Sequence, residues 1–217
     1  MRIGILADIH EALPALRCAL AELRLAGVDM VVSLGDACDT LSRSGRAGDV
    51  AGLLQEAGAV GVWGNHDVGL CYQVTEKIRA KTAPEALEYM SIMQPHLVAG
   101  GCRFSHVEPW LDPKKVEDLW YFDGPPDTPE KADRSFSAVP ERCLFIGHFH
   151  RWLVMTPTGA VVWDGEGPLE LTEPLRFLVV VAPVFSGWCA IFDTDRAELL
   201  PIRCITDPST QHIPDGC

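Results

Sequence analysis

The stretch Gly64-Asn65-His66-Asp67 directly follows the apolar run Ala59–Trp63. This combination of an apolar run and polar residues indicates the fold. A short apolar run bounded by turn residues predicts a buried strand. A strand that ends in Asn-His-Asp delivers an amide oxygen, an imidazole and a carboxylate to one rim of a sheet. Taken alone, the stretch is also compatible with a plain turn, since Gly-Asn is a common turn dipeptide.

Four other clusters of ligand-type residues follow apolar runs in the same way. They are Asp8 with His10, Gly35-Asp36, His106, and Gly147-His148-Phe149-His150. Each cluster alone has an ordinary explanation: the aspartates as turn or helix-capping residues, and the histidines as hydrogen-bonded core residues. Five of the seven histidines lie in the five clusters. This repetition at strand ends favours one shared metal site.

Composition and charge narrow the class of protein. The 217 residues include 30 acidic and 18 basic side chains, a formal net charge of −12. A surface this acidic repels a phosphate backbone, so we do not expect long nucleic acid as a partner. We expect neither a membrane span nor a secretory signal, because no apolar run is long enough for either. The eight scattered cysteines form no C-x-x-C pair, and we interpret them as reduced thiols of a cytoplasmic protein. The oligomeric state stays open.

The first part of the chain predicts a parallel sheet. Strands are expected at residues 2–7, 28–34 and 59–63, and leucine-rich helical patterns fill the intervals up to Gly27 and Gly58. The order β-α-β-α-β favours parallel strands joined by right-handed crossovers. Ligand sites in such sheets lie just beyond the carboxyl ends of the strands, where Asp8, Asp36 and Asn65 stand.

The remaining sequence predicts a second sheet within one domain that spans residues 1–217. Cys102–His106 and Cys143–Ile146 read as strands. Between about residues 151 and 205, five strand candidates alternate with turn residues, and we expect a C-terminal strand meander that forms much of the second sheet.

Two less regular segments are expected to select the substrate. Residues 68–100 have a helical pattern, and we predict a helical insertion over the active site. Residues 109–140 contain the aromatic residues Trp110, Trp120, Tyr121 and Phe122. We expect these rings to pack against the domain, with the lining of a pocket as the alternative.

The clusters contain the side chains that two divalent cations need. Hard cations prefer oxygen ligands, and borderline cations also accept imidazole. Two cations about 4 Å apart can bracket an in-line displacement at phosphorus. Asp8 and His10, and likewise His148 and His150, are expected to point the same way because alternate residues of a strand share a face.

The order of these clusters resembles the signature of the calcineurin-like metallophosphoesterase superfamily, D-x-H, G-D, G-N-H-[DE], H and G-H-x-H, from Met1 to about His150. Within it, the compact size looks most like the small bacterial phosphodiesterase group. The resemblance implies an α/β fold of the α+β type, a four-layer αββα sandwich of two mixed β-sheets flanked by helices.

The resemblance also implies roles for individual residues. It assigns Asp8, His10 and His150 to one metal ion, Asn65, His106 and His148 to a second, and Asp36 as the bridge. A metal-bridging hydroxide would attack phosphorus while His66 assists the leaving group, with Asp39 or Asp67 orienting His66. Manganese is the expected metal, and iron, zinc, cobalt or nickel are alternatives, since mixed Asp, His and Asn ligands tolerate all of them.

One departure from the family pattern bears on the substrate. In the protein-phosphatase branch, Gly-Asp is followed by x-x-Asp-Arg-Gly, whereas here Asp39 is followed by Thr40-Leu41. The arginine that clamps a phosphomonoester dianion is therefore missing from that position. Arg43 or Arg46, in the same loop, are the alternative sources of a positive charge.

We therefore predict a metal-dependent hydrolase of a small phosphodiester, with Asn65, His66 and Arg43 contacting the substrate. The alternatives are a phosphomonoesterase or protein phosphatase-like enzyme, or a nuclease of the same superfamily. A non-catalytic metal-binding scaffold is a further alternative, although it would not need His66. A purely structural metal site is disfavoured, because such sites usually saturate four ligands.

Overall fold

The computed structural model describes residues 1–40 and 45–204. Its strands in chain order are β1 (Arg2–Leu6), β2 (Met30–Ser33), β3 (Val60–Gly61), β4 (Leu97–Ala99), β5 (Cys102–Ser105), β6 (Cys143–Ile146), β7 (Leu153–Thr156), β8 (Gly159–Ala160), β9 (Leu169–Glu170), β10 (Phe177–Val180), β11 (Trp188–Asp193) and β12 (Glu198–Arg203). The helices are α1 (Leu13–Leu25), α2 (Ala47–Glu56), α3 (Glu76–Arg79), α4 (Pro84–Met90), α5 (Val116–Leu119) and α6 (Pro129–Ala138), and Val184–Ser186 form a 3-10 turn.

The strands form two mixed sheets of six strands each. The first sheet has the order β3-β2-β1-β11-β12-β9, and the second has the order β4-β5-β6-β10-β7-β8. In the first sheet, β1 pairs in parallel with β2 and antiparallel with β11. In the second, β6 pairs in parallel with both β5 and β10. The β-α-β-α-β order thus gives the predicted parallel start of the first sheet.

Side chains that alternate along the strands divide the core into three apolar layers. Ile3 and Ile5 of β1 face the second sheet, where they pack in one buried cluster with Phe104 and Phe145. On the outer face of the first sheet, Leu6 belongs to the cluster that includes the buried side chains of α1 and α2. On the outer face of the second sheet, Leu144 and Ile146 pack with Phe136 of α6. The predicted four-layer αββα sandwich is therefore confirmed.

The C-terminal strands do not form the predicted single meander. They divide between the sheets, because β7, β8 and β10 join the second sheet whereas β9, β11 and β12 join the first. Strand β11 lies beside β1 because both of its faces are apolar: Ala190 and Phe192 face the space between the sheets, and Cys189 and Ile191 face the helices. A strand with two buried faces fits the centre of a sheet, not its edge.

The segment 68–100 contains the short helices α3 and α4, followed by β4. Helix α4 packs on α2, and the buried hydroxyl of Tyr89 donates a hydrogen bond of 2.8 Å to the carbonyl oxygen of Ala59. Among the described residues, none of the helices is long and apolar enough to cross a membrane. The cytoplasmic location and the single domain over all 217 residues stay predictions.

Candidate metal centre

The first two strands end before their ligand-type residues, and the backbone then turns sharply. Asp8, His10 and Asp36 have positive φ angles of 48°, 45° and 49°. Residues other than glycine rarely adopt this left-handed region, which is concentrated at functional sites. The prediction that a strand pleat aligns Asp8 with His10 is therefore wrong, because β1 already ends at Leu6.

The turn after β6 repeats this geometry in the second sheet. His148 and His150 have positive φ angles of 70° and 51°. The backbone N–H of His148 donates to both carboxylate oxygens of Asp8, at 3.0 and 3.2 Å. This contact joins the ends of the two sheets and brings all seven predicted ligands to one place.

Four of the predicted ligands form one cluster. One ligand atom from each of Asp8, His10, Asp36 and His150 lies within 4.8 Å of the others. His10 Nε2 lies 3.6 Å from Asp36 Oδ2, and His150 Nε2 lies 3.6 Å from Asp8 Oδ1. These separations leave room for a cation between the side chains.

The other three predicted ligands form a second cluster beside Asp36. Asn65 Oδ1 lies 2.9 Å from His106 Nε2 and 3.1 Å from His148 Nδ1. His106 Nε2 also lies 3.3 Å from Asp36 Oδ2, so this carboxylate faces both clusters. On its other side, His106 Nδ1 is 2.8 Å from the carbonyl oxygen of Leu34, to which it donates. Such a second contact fixes the ring of a metal-binding histidine.

The acidic residues of the centre are buried and influence one another's ionisation. Burial raises the pKa of Asp8 to about 7, with repulsion from Asp36 adding to it. Burial also opposes ionisation of Asp36, but the attraction of His106 outweighs it and holds the pKa of Asp36 below its ordinary value. Burial disfavours the charged form of His106 as well, yet Asp36 raises its pKa to about 9. Protons therefore offset part of the negative charge where cations are expected.

The other histidines of the centre favour the neutral form that binds metals. Burial lowers the pKa of His148 to about 3 and that of His150 to about 4, with repulsion from neighbouring histidines adding to both shifts. The pKa of His10 is lowered mainly by burial too. A neutral imidazole offers a lone pair to a cation.

The residues present fit divalent cations. His10 Nε2 and His148 Nε2 are buried atoms without a hydrogen-bond partner. Across residues 1–40 and 45–204, the ion pairs of Asp8 and Asp36 involve only histidines. Buried carboxylates with no lysine or arginine beside them need another source of positive charge. A donor set of carboxylate, amide and imidazole groups suits divalent cations of intermediate hardness.

His66 lies beside the first cluster and not within it. Its ring is 4.8 Å from the ring of His10, and its Nδ1 lies 3.4 Å from Asp39 Oδ1. The backbone N–H of His66 donates to Asp36 Oδ1 at 2.9 Å, and its carbonyl oxygen accepts from the hydroxyl of Thr40 at 2.8 Å. These contacts hold the backbone of His66 at the edge of the centre while its ring faces Asp39.

Asp67, the second residue predicted to orient His66, has a different position. Its buried carboxylate accepts backbone N–H groups from Ala37, Cys38 and Gly64, at 3.3, 2.9 and 3.0 Å. It therefore ties the turn after β2 to the turn after β3. The acidic side chain beside the His66 ring is Asp39.

The two arginines considered for the substrate lie near this turn in the chain. Arg43 falls outside the described residues. Arg46 directly precedes α2. The position next to Asp39, at which the phosphatase branch has arginine, holds Thr40, whose hydroxyl and backbone N–H are both bonded to the carbonyl oxygen of His66.

Comparison with known proteins decides the family. A family model described as the calcineurin-like phosphoesterase superfamily domain matches residues 1–164. The chain belongs to this superfamily. The match covers every turn that carries a predicted ligand, so the resemblance inferred from the sequence is confirmed. Members of the superfamily are phosphoesterases that use divalent metals, and this chain is accordingly a phosphoester hydrolase with a candidate metal site.

Similar solved structures support the fold of this superfamily member. A metallophosphoesterase from Sphaerobacter thermophilus has a TM-score of 0.77 and 21% identity, with 97% of this chain and 90% of that chain covered. An archaeal phosphodiesterase has a TM-score of 0.54 and 16% identity, covering 94% and 99% of the two chains. A relative from Methanocaldococcus jannaschii is 22% identical over 193 residues, which are 82% of this chain and 73% of the relative.

Two of the aromatic residues noted in the sequence lie beside the centre, although they were not among the predicted site residues. The ring of Trp120 is 5.1 Å from the ring of His66, and the ring of Phe122 is 6.0 Å from that of His148. Sequence reasoning favoured packing of these aromatic residues against the domain. The available signal was their position directly before the turn-rich segment from Asp123 to Pro129, which keeps them near the surface.

Proposed function

We propose that this protein is a dinuclear metal-dependent phosphodiesterase that hydrolyses a small phosphodiester. The observation that supports it is the sharing of Asp36 between two clusters of ligand atoms, with His66 at their edge. Asp8, His10 and His150 would hold one cation, Asn65, His106 and His148 the other, and Asp36 would contact both. The cations, with manganese expected, would supply the positive charge that activates a water molecule and neutralises the phosphoryl oxygens.

The residues of this chain position the substrate and move a proton. His66 Nδ1 faces Asp39, which leaves Nε2 as the ring nitrogen for the leaving oxygen. Asp39, 3.4 Å from His66 Nδ1, would orient the ring so that His66 can donate a proton to the leaving oxygen. The bond of the His66 N–H to Asp36 keeps this donor close to the carboxylate that would contact both cations.

The charges near the centre favour a diester over a monoester. A phosphomonoester carries two negative charges near neutral pH, whereas a diester carries one. Thr40 occupies the position of the clamping arginine, and the described side chains that face the centre include the carboxylates of Asp8, Asp36 and Asp39. A second negative charge on the substrate would therefore have no arginine partner at this position.

The first test compares bis(p-nitrophenyl) phosphate with p-nitrophenyl phosphate in the presence of manganese and again after chelation. We expect turnover of the diester that the chelator abolishes, and slower turnover of the monoester. Faster turnover of the monoester would return the phosphomonoesterase alternative to first place. Metal-loaded protein without turnover of either compound would favour the non-catalytic scaffold.

The second test separates metal binding from proton transfer. Asp36→Ala and Asn65→Ala should lower metal content and activity together, because each removes a ligand. His66→Ala keeps the backbone N–H bonded to Asp36, so both metals should stay bound while turnover falls by about 10²–10⁴-fold. His96→Ala, which removes an exposed histidine, is the matched control. Full turnover of His66→Ala would refute the role of His66.

A nuclease of long polymers is the alternative that net charge disfavours. At −12, the protein repels polyanions over much of its surface. We expect no cleavage of plasmid or single-stranded DNA under conditions in which bis(p-nitrophenyl) phosphate is hydrolysed.

A further inference from the structure

Two exposed aromatic rings lie at the rim of the candidate metal centre. Trp120 is 48% exposed and Phe122 is 65% exposed, although both are large apolar side chains. The Trp120 ring touches His66 on the side of the proposed proton donor, and the Phe122 ring touches His148 on the side of the second cluster. The rings thus flank the place where the phosphoryl group is expected.

Tyr121 and Asp123 fix the segment that carries these rings. The Tyr121 ring packs edge-on against the ring of Trp110 at 5.3 Å, and its hydroxyl donates to Asp123 Oδ2 at 3.2 Å. Asp123 Oδ2 also accepts from the guanidinium of Arg134 at 3.1 Å. On the preceding side, Leu119 is fully buried in the core. The two exposed rings therefore belong to a segment that is fixed by these contacts.

A second set of contacts fixes Trp110, the ring against which Tyr121 packs. The Arg134 guanidinium lies 4.5 Å from the centre of the Trp110 ring, and Trp110 Nε1 donates to Glu108 at 3.2 Å. Glu108 is itself buried. Glu108 directly follows Val107 and His106, so the support of the rings is continuous with a predicted metal ligand.

Flat rings at a fixed distance from a phosphoryl site recognise a flat aromatic group on the substrate. Stacking of a base on an aromatic side chain commonly changes affinity by about tenfold or more. A neutral heterocycle can stack on such rings without a charged partner. A nucleobase joined through its sugar to a phosphate combines the two features.

We propose that Trp120 and Phe122 bind the nucleobase of a nucleotide-type phosphoester, and that they determine specificity for it. The proposal rests on the phosphoesterase function proposed above, because it uses the phosphate site as the second anchor. Tyr121, Asp123, Trp110 and Arg134 are positioning residues that hold the two rings in place.

The test measures binding to the manganese-loaded protein by titration calorimetry, with adenosine 5′-monophosphate and ribose 5-phosphate as probes. The two probes share the sugar phosphate and differ in the base. We expect adenosine 5′-monophosphate to bind at least tenfold more tightly. In the double variant Trp120→Ala/Phe122→Ala, this preference should fall to about twofold, chiefly through weaker binding of the nucleotide.

Matched variants keep the test specific. Trp120→Phe should retain most of the preference, because it keeps an aromatic face. Leu25→Ala removes an exposed apolar side chain, 80% exposed, at the end of α1 and should not alter it. Equal binding of the two probes by the wild type, or an unchanged preference in the double variant, would overturn the proposal.

Failure of this proposal can be told apart from failure of the proposed function. Chelator-sensitive turnover of bis(p-nitrophenyl) phosphate without a base preference overturns only the role of the two rings. A base preference that Trp120→Ala/Phe122→Ala removes, in a protein without turnover, supports the nucleobase site and overturns the hydrolysis.

Discussion

At the scale of single residues, five of the seven proposed ligands have a left-handed backbone conformation. These are Asp8, His10, Asp36, His148 and His150. A residue other than glycine in this region costs about 1–3 kcal/mol, so the surrounding structure has to hold it there. Close backbone approach supplies part of that constraint. At Gly64, a β-carbon would collide with Asp36 Oδ1 and lie 2.6 Å from the backbone nitrogen of Asp36.

We predict that Gly64→Ala displaces Asp36, lowers the free energy of unfolding by about 1–3 kcal/mol and reduces metal content. Urea unfolding and metal analysis measure both effects. Gly52→Ala is the control, because a β-carbon at Gly52 in α2 meets nothing within 4 Å. It should stabilise the protein by about 0.5–1 kcal/mol, the usual gain in a helix interior. Equal stability of the two variants would contradict the prediction.

The two aspartates near His66 should give different defects. Asp39→Asn removes the negative charge beside the His66 ring, and we expect kcat to fall about 10-fold or more while metal content stays constant. Asp67→Asn weakens up to three hydrogen bonds to backbone N–H groups, and we expect a loss of stability of about 1–3 kcal/mol. Steady-state kinetics and urea unfolding of both variants separate the roles. A normal kcat in Asp39→Asn would argue against its orienting role.

At the scale of secondary structure elements, α4 is fastened to the start of the third strand region by one buried hydrogen bond. Tyr89→Phe leaves the carbonyl oxygen of Ala59 without this partner, and we expect a loss of about 1–2 kcal/mol in the free energy of unfolding. Because Tyr89 lies outside the metal centre, metal content should not change. Urea unfolding and metal analysis check the two statements, and a loss of metal would show that α4 also supports the centre.

The bounds of strands with a simple apolar pattern were predictable from the sequence. The strands with which they pair were not. Strand β6 has the predicted bounds Cys143–Ile146, and β5, at Cys102–Ser105, differs by one residue from the predicted Cys102–His106. In contrast, the run Ala59–Trp63 forms only the two-residue strand β3, because Trp63 already leaves the ladder and bonds to Gln94. The meander was predicted wrongly because an apolar strand with two buried faces does not indicate which sheet it enters.

The candidate site was predictable as a set of residues but not as a geometry. Turn motifs identified Asp8, Asp36, Asn65 and the histidines, because ligand chemistry is visible in residue types. The left-handed turns that orient them depend on contacts between distant segments, such as the bond from His148 to Asp8. The position of Trp120 beside His66 depends on tertiary packing in the same way.

At the scale of the whole molecule, the metal centre makes stability depend on pH. The pKa of Asp8 is raised to about 7 from an ordinary 3.8, so its contribution to stability is lost as pH rises towards and through 7. The pKa of His106 is raised to about 9 from 6.5, so its contribution is lost as pH rises through 9. Both contributions fall as pH rises, that of Asp8 between about pH 3.8 and 7 and that of His106 between about pH 6.5 and 9.

We therefore predict that the metal-free protein loses roughly 1–3 kcal/mol of stability between about pH 6.5 and 9. Urea unfolding in the presence of a chelator measures this change. His106→Gln should flatten the profile, whereas the control His96→Ala should keep it. A metal-free protein that gains stability over this interval would contradict the assignment of the buried protons.

Addition of manganese should reverse this loss and release protons. Cations take over the charge compensation that protons provide, which at pH 8 is chiefly the proton of His106, so binding should raise Tm and liberate about one proton. Calorimetric titrations in buffers of different ionisation enthalpy count the protons. Binding without proton release would mean that cations bind outside this centre.

Because β1 lies between β2 and β11, the pairing of β1 is completed late during synthesis. Strand β2 follows β1 closely, but β11 begins only at Trp188. At roughly 5–20 residues per second, a ribosome takes on the order of 10–40 seconds to complete the intervening chain. Until then, one edge of β1 lacks its partner, and an unpaired edge is open to association with other chains. The last predicted ligand, His150, is therefore synthesised before β1 has both of its neighbouring strands, and during this interval the partly made chain exposes an edge of the sheet that carries Asp8 and Asp36.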